Sequence, residues 1–342
     1  MDLLSPSIAS THLAAARGGG SLAALPFRII GKSRAFEQAL ERIERVSRSD
    51  APVLIEGETG CGKEVAARAV HYGGPRRAAP FVPINCGALP DALFEAELFG
   101  HERGAFTDAR ERRRGLVVEA EGGTLFLDEV DALAPKSQVA LLRFLQDQCF
   151  RPLGSAREQQ GNVRLIAASN RPLEELVASG SFRQDLLYRL KVLHVALPPL
   201  RVRERDAALL AEHFAERYAR KYGSAAHGFD HQALDWIVVQ PWPGNIRELE
   251  NWVHREVLMG DGPLIRVAVA GPAIGAAPAG GLPNYRQAKA QAMAAFEHDF
   301  LLRALRASDG NVSAAAQLVG KERRAFGKLL KKYAIDRLCI ER

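Results

Sequence analysis

The chain is 342 residues long, 47% hydrophobic and 25% charged, which suits a soluble protein of two domains with one large buried core. Its net charge of +6 is localised: residues 284–342 hold 12 Lys and Arg against 6 Asp and Glu, and the remainder is neutral, as expected of an engine carrying a basic tail for a polyanion. Cys61, Cys86, Cys149 and Cys339 are too scattered for a disulfide frame or zinc site, and the chain has neither a basic leader nor a bilayer-length apolar run, so the expectation is a cytoplasmic protein with no membrane role.

Residues 1–26, rich in Ala, Ser and Gly and without periodicity, read as a flexible tail. From 27 to 200, apolar runs at 53–56, 81–85, 124–127 and 163–167 alternate with helical patterns at 63–71, 90–98 and 136–147. Such alternation predicts an α/β fold, a parallel sheet with helices on both faces. From 201 to 267 the pattern is all-helical, at 205–222, 231–239 and 245–258. Gly, Pro and Ala in 268–283 mark a linker. The last unit, 284–342, reads as all-α: a long helix over 285–306, a turn at Asp309 and Gly310, then two shorter helices.

The run Gly57, Glu58, Thr59, Gly60, Cys61, Gly62, Lys63 and Glu64 follows a strand and opens a helix. The glycines let consecutive N–H groups face phosphate oxygens, and the helix N-terminus adds its dipole. Lys63 then reaches the β- and γ-phosphates, while Glu64 stands where Ser or Thr ordinarily binds magnesium. Alone, the segment is as readily a Gly-rich turn. About sixty residues on, an apolar strand ends in Asp128 and Glu129. Asp128 is the candidate Mg2+ holder and Glu129 the candidate for polarising an attacking water, against the blander reading of a solvated strand end. Together the two motifs point to nucleotide hydrolysis, with ATP and Mg2+ as cofactors.

Further along stand ELFGHERGAFTDA (97–109), FRQDLLYRL (182–190), LPPLRVRERD (197–206) and WPGNIRELEN (242–251). With these motifs the chain resembles the AAA+ activators of sigma-54 RNA polymerase, the bacterial enhancer-binding proteins, from about residue 27 through the C-terminal helices. The resemblance implies an AAA+ P-loop ATPase (27–200), a helical lid (201–267) and a C-terminal helix-turn-helix domain (284–342). That family also carries Glu after the loop lysine. It implies that Gly104, Ala105, Phe106, Thr107, Asp108 and Ala109 form a loop contacting the sigma factor through Phe106 and Thr107; alone, this is a surface turn with a buried Phe. Asp108 replaces the family's usual Gly. By the same resemblance Asn85 restrains Glu129, Asn170 reads the γ-phosphate, and Arg247 touches nucleotide from the lid. Arg183 and Arg189, otherwise ordinary surface ion-pair partners, match arginines that reach the neighbouring subunit's nucleotide. A homo-oligomer, dimer to hexamer, is therefore implied.

In the tail, small Ala314–Ala316, Gly320 and a basic following helix look like that family's helix-turn-helix, with Arg323, Arg324, Lys328, Lys331 and Lys332 facing DNA. The alternative is a solvated lysine-rich face. Glu322 occupies a cap position that favours Ser or Thr, and Gly327 inside the helix costs about 1 kcal/mol relative to Ala. Met293, Phe296, Phe300, Leu301 and Leu305 form one stripe, expected to pair with its copy in a dimer.

The leading expectation is an ATPase that remodels the sigma-54 RNA polymerase holoenzyme while bound to upstream DNA. The rival is a DNA-binding regulator of ordinary promoters whose ATPase is vestigial or sets oligomeric state, favoured by Asp108. A DNA-processing helicase fits less well, since nothing outside the tail is built to grip DNA. About 26 residues before the motor are too few for a sensory domain; control is expected from a regulatory protein acting in trans, from expression level, or not at all.

Overall fold

Apolar side chains that alternate along short strands supply both faces of a central sheet. The computed structural model describes residues 25–266 except 107, 108, 110 and 261, and beyond them 297, 300, 301, 304, 305, 308 and 311–332, with no side-chain description at 331. The chain divides into two units, residues 1–267 and 268–342. In the first, strands β1 (Val53–Glu56), β2 (Phe81–Asn85), β3 (Thr124–Asp128), β4 (Arg164–Ser169) and β5 (Leu193–Ala196) form a wholly parallel sheet in the order β2-β3-β4-β1-β5.

Side-chain alternation divides the core between the two faces. Val53, Ile55, Phe126, Ile166 and Val195 pack with Ala39 and Ile43 of α1 (Arg34–Ser47) and with Ala66 and Val70 of α2 (Lys63–Tyr72). Leu54, Leu125, Leu127 and Leu165 face the other way. They meet Phe94 and Leu98 of α3 (Asp91–Phe99), Leu141 and Phe144 of α4 (Pro135–Asp147) and Leu186 of α5 (Gln184–Leu190). The expected layering of helices on both faces is thus present.

Three of these elements are additional to those read from the sequence, α1, α5 and β5. The β5 run contains His194 and follows Lys191, polar residues that interrupt an apolar pattern. Both serve Glu56, at the end of β1: His194 Nε2 lies 2.6 Å from the carboxylate, Lys191 Nζ donates at 3.2 Å, and the Leu173 N–H donates at 3.0 Å. Burial opposes ionisation, but these partners hold the Glu56 carboxyl at about 2.

The lid consists of α6 (Asp206–Tyr222), α7 (His231–Val239) and α8 (Asn245–Met259). Leu210, Phe214, Ile237, Leu249, Val253 and Val257 form its core. Trp236, Trp242 and Trp252 pack together, and the Trp242 indole donates to the Ile237 carbonyl at 2.8 Å. Asp206 ties the lid to the segment before α1, accepting from the backbone N–H groups of Lys32 and Ser33 and from Ser33 Oγ.

The second unit contains α9 (Val312–Leu318), capped by the Asn311 side chain, and α10 (Arg323–Lys332), joined through Gly320 at φ +64°. Phe326 and Leu330 pack with Val312, Ala315, Ala316, Leu301 and Leu305. Leu301 and Leu305, expected at a dimer seam, are instead buried in this unit's own core, because the short helix pair alone presents too little apolar surface to bury. Phe300 is 43% exposed. Met293 and Phe296, the tail 1–24, the linker 268–283 and Cys339 lie outside the described residues.

His71, fully buried, pairs through Nδ1 with Thr124 Oγ1 at 2.8 Å, while its Nε2 makes no well-formed hydrogen bond among the described residues. Burial pushes its pKa down to about 4. The folded state therefore favours neutral imidazole, and this stability is lost as pH falls from about 6.5 towards 4. Urea titrations across that window are expected to show a decline of about 2–3 kcal/mol from this group, absent in His71→Leu; an unchanged slope in the variant disproves the assignment.

Candidate nucleotide-binding site

The loop after β1 turns through Gly60 (φ +77°) and Gly62 (φ +101°), positive values that glycine adopts without strain. A β-carbon at Gly60 would overlap the Gly244 carbonyl oxygen, so this glycine also admits the lid. Lys63, 7% exposed, opens α2 and donates to the carbonyls of Gly57 (2.8 Å) and Glu58 (3.1 Å) and to Asn170 Oδ1 (2.7 Å). Asn170 also accepts from Thr59 Oγ1 at 3.2 Å, and its backbone N–H donates to Asp131 Oδ1 at 3.1 Å. Five expected residues, Gly57, Glu58, Thr59, Lys63 and Asn170, thus meet where β1 and β4 end side by side, the crevice where open parallel sheets bind ligands.

Asp128 ends β3. Burial raises its carboxyl above the usual range, opposed by the positive charge of Lys63 and by the Glu129 N–H that donates to it at 3.0 Å. Glu129 follows in a left-handed conformation (φ +57°), a strained position for a side-chain residue. Its carboxylate lies against Gly87, where a β-carbon would stand 2.5 Å from Oε2. Asn85, the expected restraint on Glu129, instead accepts from the Ala88 N–H at 3.0 Å and makes no hydrogen bond to Glu129. Glu64 is engaged by Arg68 one helical turn away, at 2.8 and 3.0 Å. Among the described residues no three acidic, His or Cys side chains cluster as a metal cage.

From the lid side, Arg201 grips the Glu58 carboxylate through two hydrogen bonds (2.7 and 2.6 Å), and this pairing holds its pKa at about 2. Arg247 lies on the first turn of α8, and its Cβ stands 3.1 Å from where a β-carbon on Gly60 would be. Cys61, between the two loop glycines, is buried and its thiol pushed up by burial. Asn245 and Asp131, which touch these residues, were not singled out by the sequence. Asn245 sits in the recognised WPGNIRELEN run beside Arg247; Asp131 follows the acidic pair, and only the fold brings it to β4.

Arg183 and Arg189 are both exposed, and neither makes a hydrogen bond or ion pair with Lys63, Asp128 or Glu129. Arg183 pairs with Asp185 at 2.7 and 3.0 Å, while its backbone N–H donates to the buried Gln138 on α4. The loop of Gly104, Ala105, Phe106 and Ala109 lies between Gly100–His101 and Arg113–Arg114, a two-stranded antiparallel ribbon. Phe106 packs on the His101 ring at 4.9 Å; Thr107 and Asp108 lie outside the described residues. In the second unit Arg323, Arg324 and Lys328 are exposed on α10, and Lys332 pairs with Glu297 at 3.3 Å. The side chain of Lys331 is outside the described residues. Among the described residues nothing lies within 4 Å of where a β-carbon on Gly327 would stand.

Comparison with known proteins agrees with this architecture. The sigma-54 interaction domain model matches residues 29–196, the AAA+ ATPase lid domain 201–279 and the bacterial regulatory protein Fis family 292–333. The transcriptional regulatory protein ZraR of Salmonella typhimurium is 44% identical over 90% of this chain and 69% of its own length. GlrR of Escherichia coli is 42% identical over 90% and 68%. NtrX from Brucella abortus, solved in complex with ATP, superposes with a TM-score of 0.66 at 34% identity, over 90% of this chain and 69% of that one. The chain belongs to the sigma-54-dependent transcriptional activators. It is accordingly a DNA-binding transcriptional regulator built on a nucleotide-binding AAA+ ATPase unit. Among the described residues no helix is long and apolar enough to cross a membrane.

Gly60→Ala adds strain at a positive φ and collides with the lid backbone. It is expected to lower the stability of the ATPase unit by at least about 1 kcal/mol and to weaken ADP binding. Thermal unfolding with and without ADP checks both; wild-type values would refute the close approach.

Proposed function

We propose that the protein hydrolyses ATP with Mg2+ and uses the cycle to remodel the sigma-54 RNA polymerase holoenzyme, while its C-terminal unit holds upstream DNA. The observation that carries this reading is the convergence of Lys63 and Asn170 at adjacent strand ends, with Asp128 within electrostatic reach of Lys63. In it, Gly57–Glu64 cradle the phosphates and Lys63 exchanges its present carbonyl and amide partners for phosphate oxygens. Asp128 would hold Mg2+, which would supply neutralisation of phosphate charge. Glu129 orients and polarises the attacking water, with Asn85 as its restraint, and Asn170 registers the γ-phosphate. Arg247 closes on nucleotide from the lid.

Arg183 and Arg189, both exposed and clear of Lys63, Asp128 and Glu129, act on a neighbour's nucleotide, Arg183 leaving its pairing with Asp185 to do so. The working form is then a homo-oligomeric ring. Phe106 and Thr107 contact sigma-54, and Arg323, Arg324, Lys328, Lys331 and Lys332 contact DNA. A second reading, a regulator of ordinary promoters with a vestigial ATPase, is favoured only by Asp108.

ATP turnover is expected to rise more than linearly with protein concentration. Arg183→Ala should keep ADP affinity while losing about three to five decades of turnover; concentration-independent specific activity in a verified monomer rules out the shared site. Removal of residues 284–342 should leave turnover intact and abolish DNA binding. The full-length protein should lose about three to five decades of DNA affinity between about 50 and 200 mM salt if a dimer touches about six to ten phosphates; equal affinity of both forms overturns the DNA assignment. In an open-complex assay with ATP, Thr107→Ala should stop promoter opening while hydrolysis continues, and Asp108→Gly should preserve or increase opening. A silent wild type that neither change affects would favour the second reading.

A further inference from the structure

A loop that binds phosphate through its N–H groups must place its carbonyls elsewhere. The carbonyls of Gly57 and Glu58 are taken by Lys63 from within the core. The next two are taken by the lid. Asn245 Nδ2 donates to the Thr59 carbonyl at 3.0 Å, and the Ile246 N–H donates to the Gly60 carbonyl at 3.0 Å. Among the described residues, the N–H groups of Thr59, Gly60 and Gly62 donate to no protein group.

Asn245 is fully buried and holds φ +53°, a left-handed conformation that Asn tolerates better than most residues. Its amide is used at both ends. Oδ1 accepts from the Leu200 N–H at 2.8 Å, where the chain passes from core to lid, and Nδ2 also reaches Glu58 Oε2 at 3.2 Å. Arg201, one residue beyond Leu200, grips the same carboxylate. Three consecutive loop residues, 58 to 60, are thus held from the lid side.

We propose that Asn245, supported by Arg201, is a positioning residue for the phosphate-binding loop, so that the loop's phosphate-receiving shape exists only while the lid is docked on it. This rests on the reading that Gly57–Glu64 hold nucleotide. Asn245 touches no reacting atom in this arrangement; it acts through Glu58 and Thr59.

Asn245→Asp separates this role from lid folding. The new side chain keeps the left-handed backbone and the acceptor for Leu200, but turns an oxygen towards the Thr59 carbonyl and Glu58. Calorimetry of ADP binding to the full-length protein is expected to show about a tenfold loss of affinity, with KM for ATP rising more than kcat falls. Adding Glu58→Gln to Asn245→Asp removes the like-charge contact and should recover part of the loss, an effect that damage to the lid core would not produce. Arg201→Ala, at an exposed pair, should weaken ADP binding about two- to threefold without unfolding the protein, and decides the matter if Asn245→Asp fails to fold. Wild-type affinity in Asn245→Asp, or in Arg201→Ala where that variant decides, overturns the proposal, as does a loss that Glu58→Gln leaves untouched. Failure of the unaltered protein to bind ADP, or full binding by Lys63→Ala, would instead overturn the underlying site assignment.

Discussion

The structure of the ATPase unit is governed by one buried charge. Lys63 carries its ammonium to a position 7% exposed, where a cation without partners is prohibitively costly. Two backbone carbonyls and the Asn170 amide oxygen satisfy it. Those partners come from the loop after β1 and from the end of β4, so the sheet order that sets β1 beside β4 is also what makes the lysine tolerable. Asp131 then fixes Asn170 through its backbone, and Asp128, its carboxyl raised by burial, lies within reach of the same positive charge. Fold and site are one electrostatic arrangement.

Around that point the molecule uses polar groups as fasteners between elements distant in sequence. Glu56 joins β1 to β5, Gln138 anchors the segment carrying Arg183, and Asp206 binds the lid to the start of α1. Each is a carboxylate or amide buried or half-buried among several hydrogen-bond partners, where losing one partner costs more than the bond itself contributes. The hydrophobic faces specify layers; these fasteners specify which element ends meet.

How much of this was legible depended on the kind of information involved. The first four strands and the helices following the first three of them were readable because apolar period and glycine punctuation are local signals. The glycine-rich loop, the acidic strand end and the lid arginine were readable because they occur as motifs. β5 was not, since Lys191 and His194 look like surface residues until Glu56 is placed beside them. α1 was legible in principle, with Phe36, Ala39, Ile43 and Val46 on one face. The side-chain roles of Asn245 and Asp131 depend on partners 186 and 39 residues away, and the burial of Leu301 and Leu305 on how two short helices fill their own core.

All three tryptophans of the chain, Trp236, Trp242 and Trp252, belong to the lid and touch one another. Ultraviolet emission excited at the indole band therefore originates in that subdomain alone, while the β-sheet unit and the C-terminal unit are dark. Trp242 stands three residues before Asn245, whose N–H donates to the Trp242 carbonyl at 2.7 Å, so the indole is linked through its own backbone to the residue that holds the phosphate-binding loop. Indole emission of the unlabelled protein thus reports on the lid by itself, in real time during turnover and in the presence of DNA.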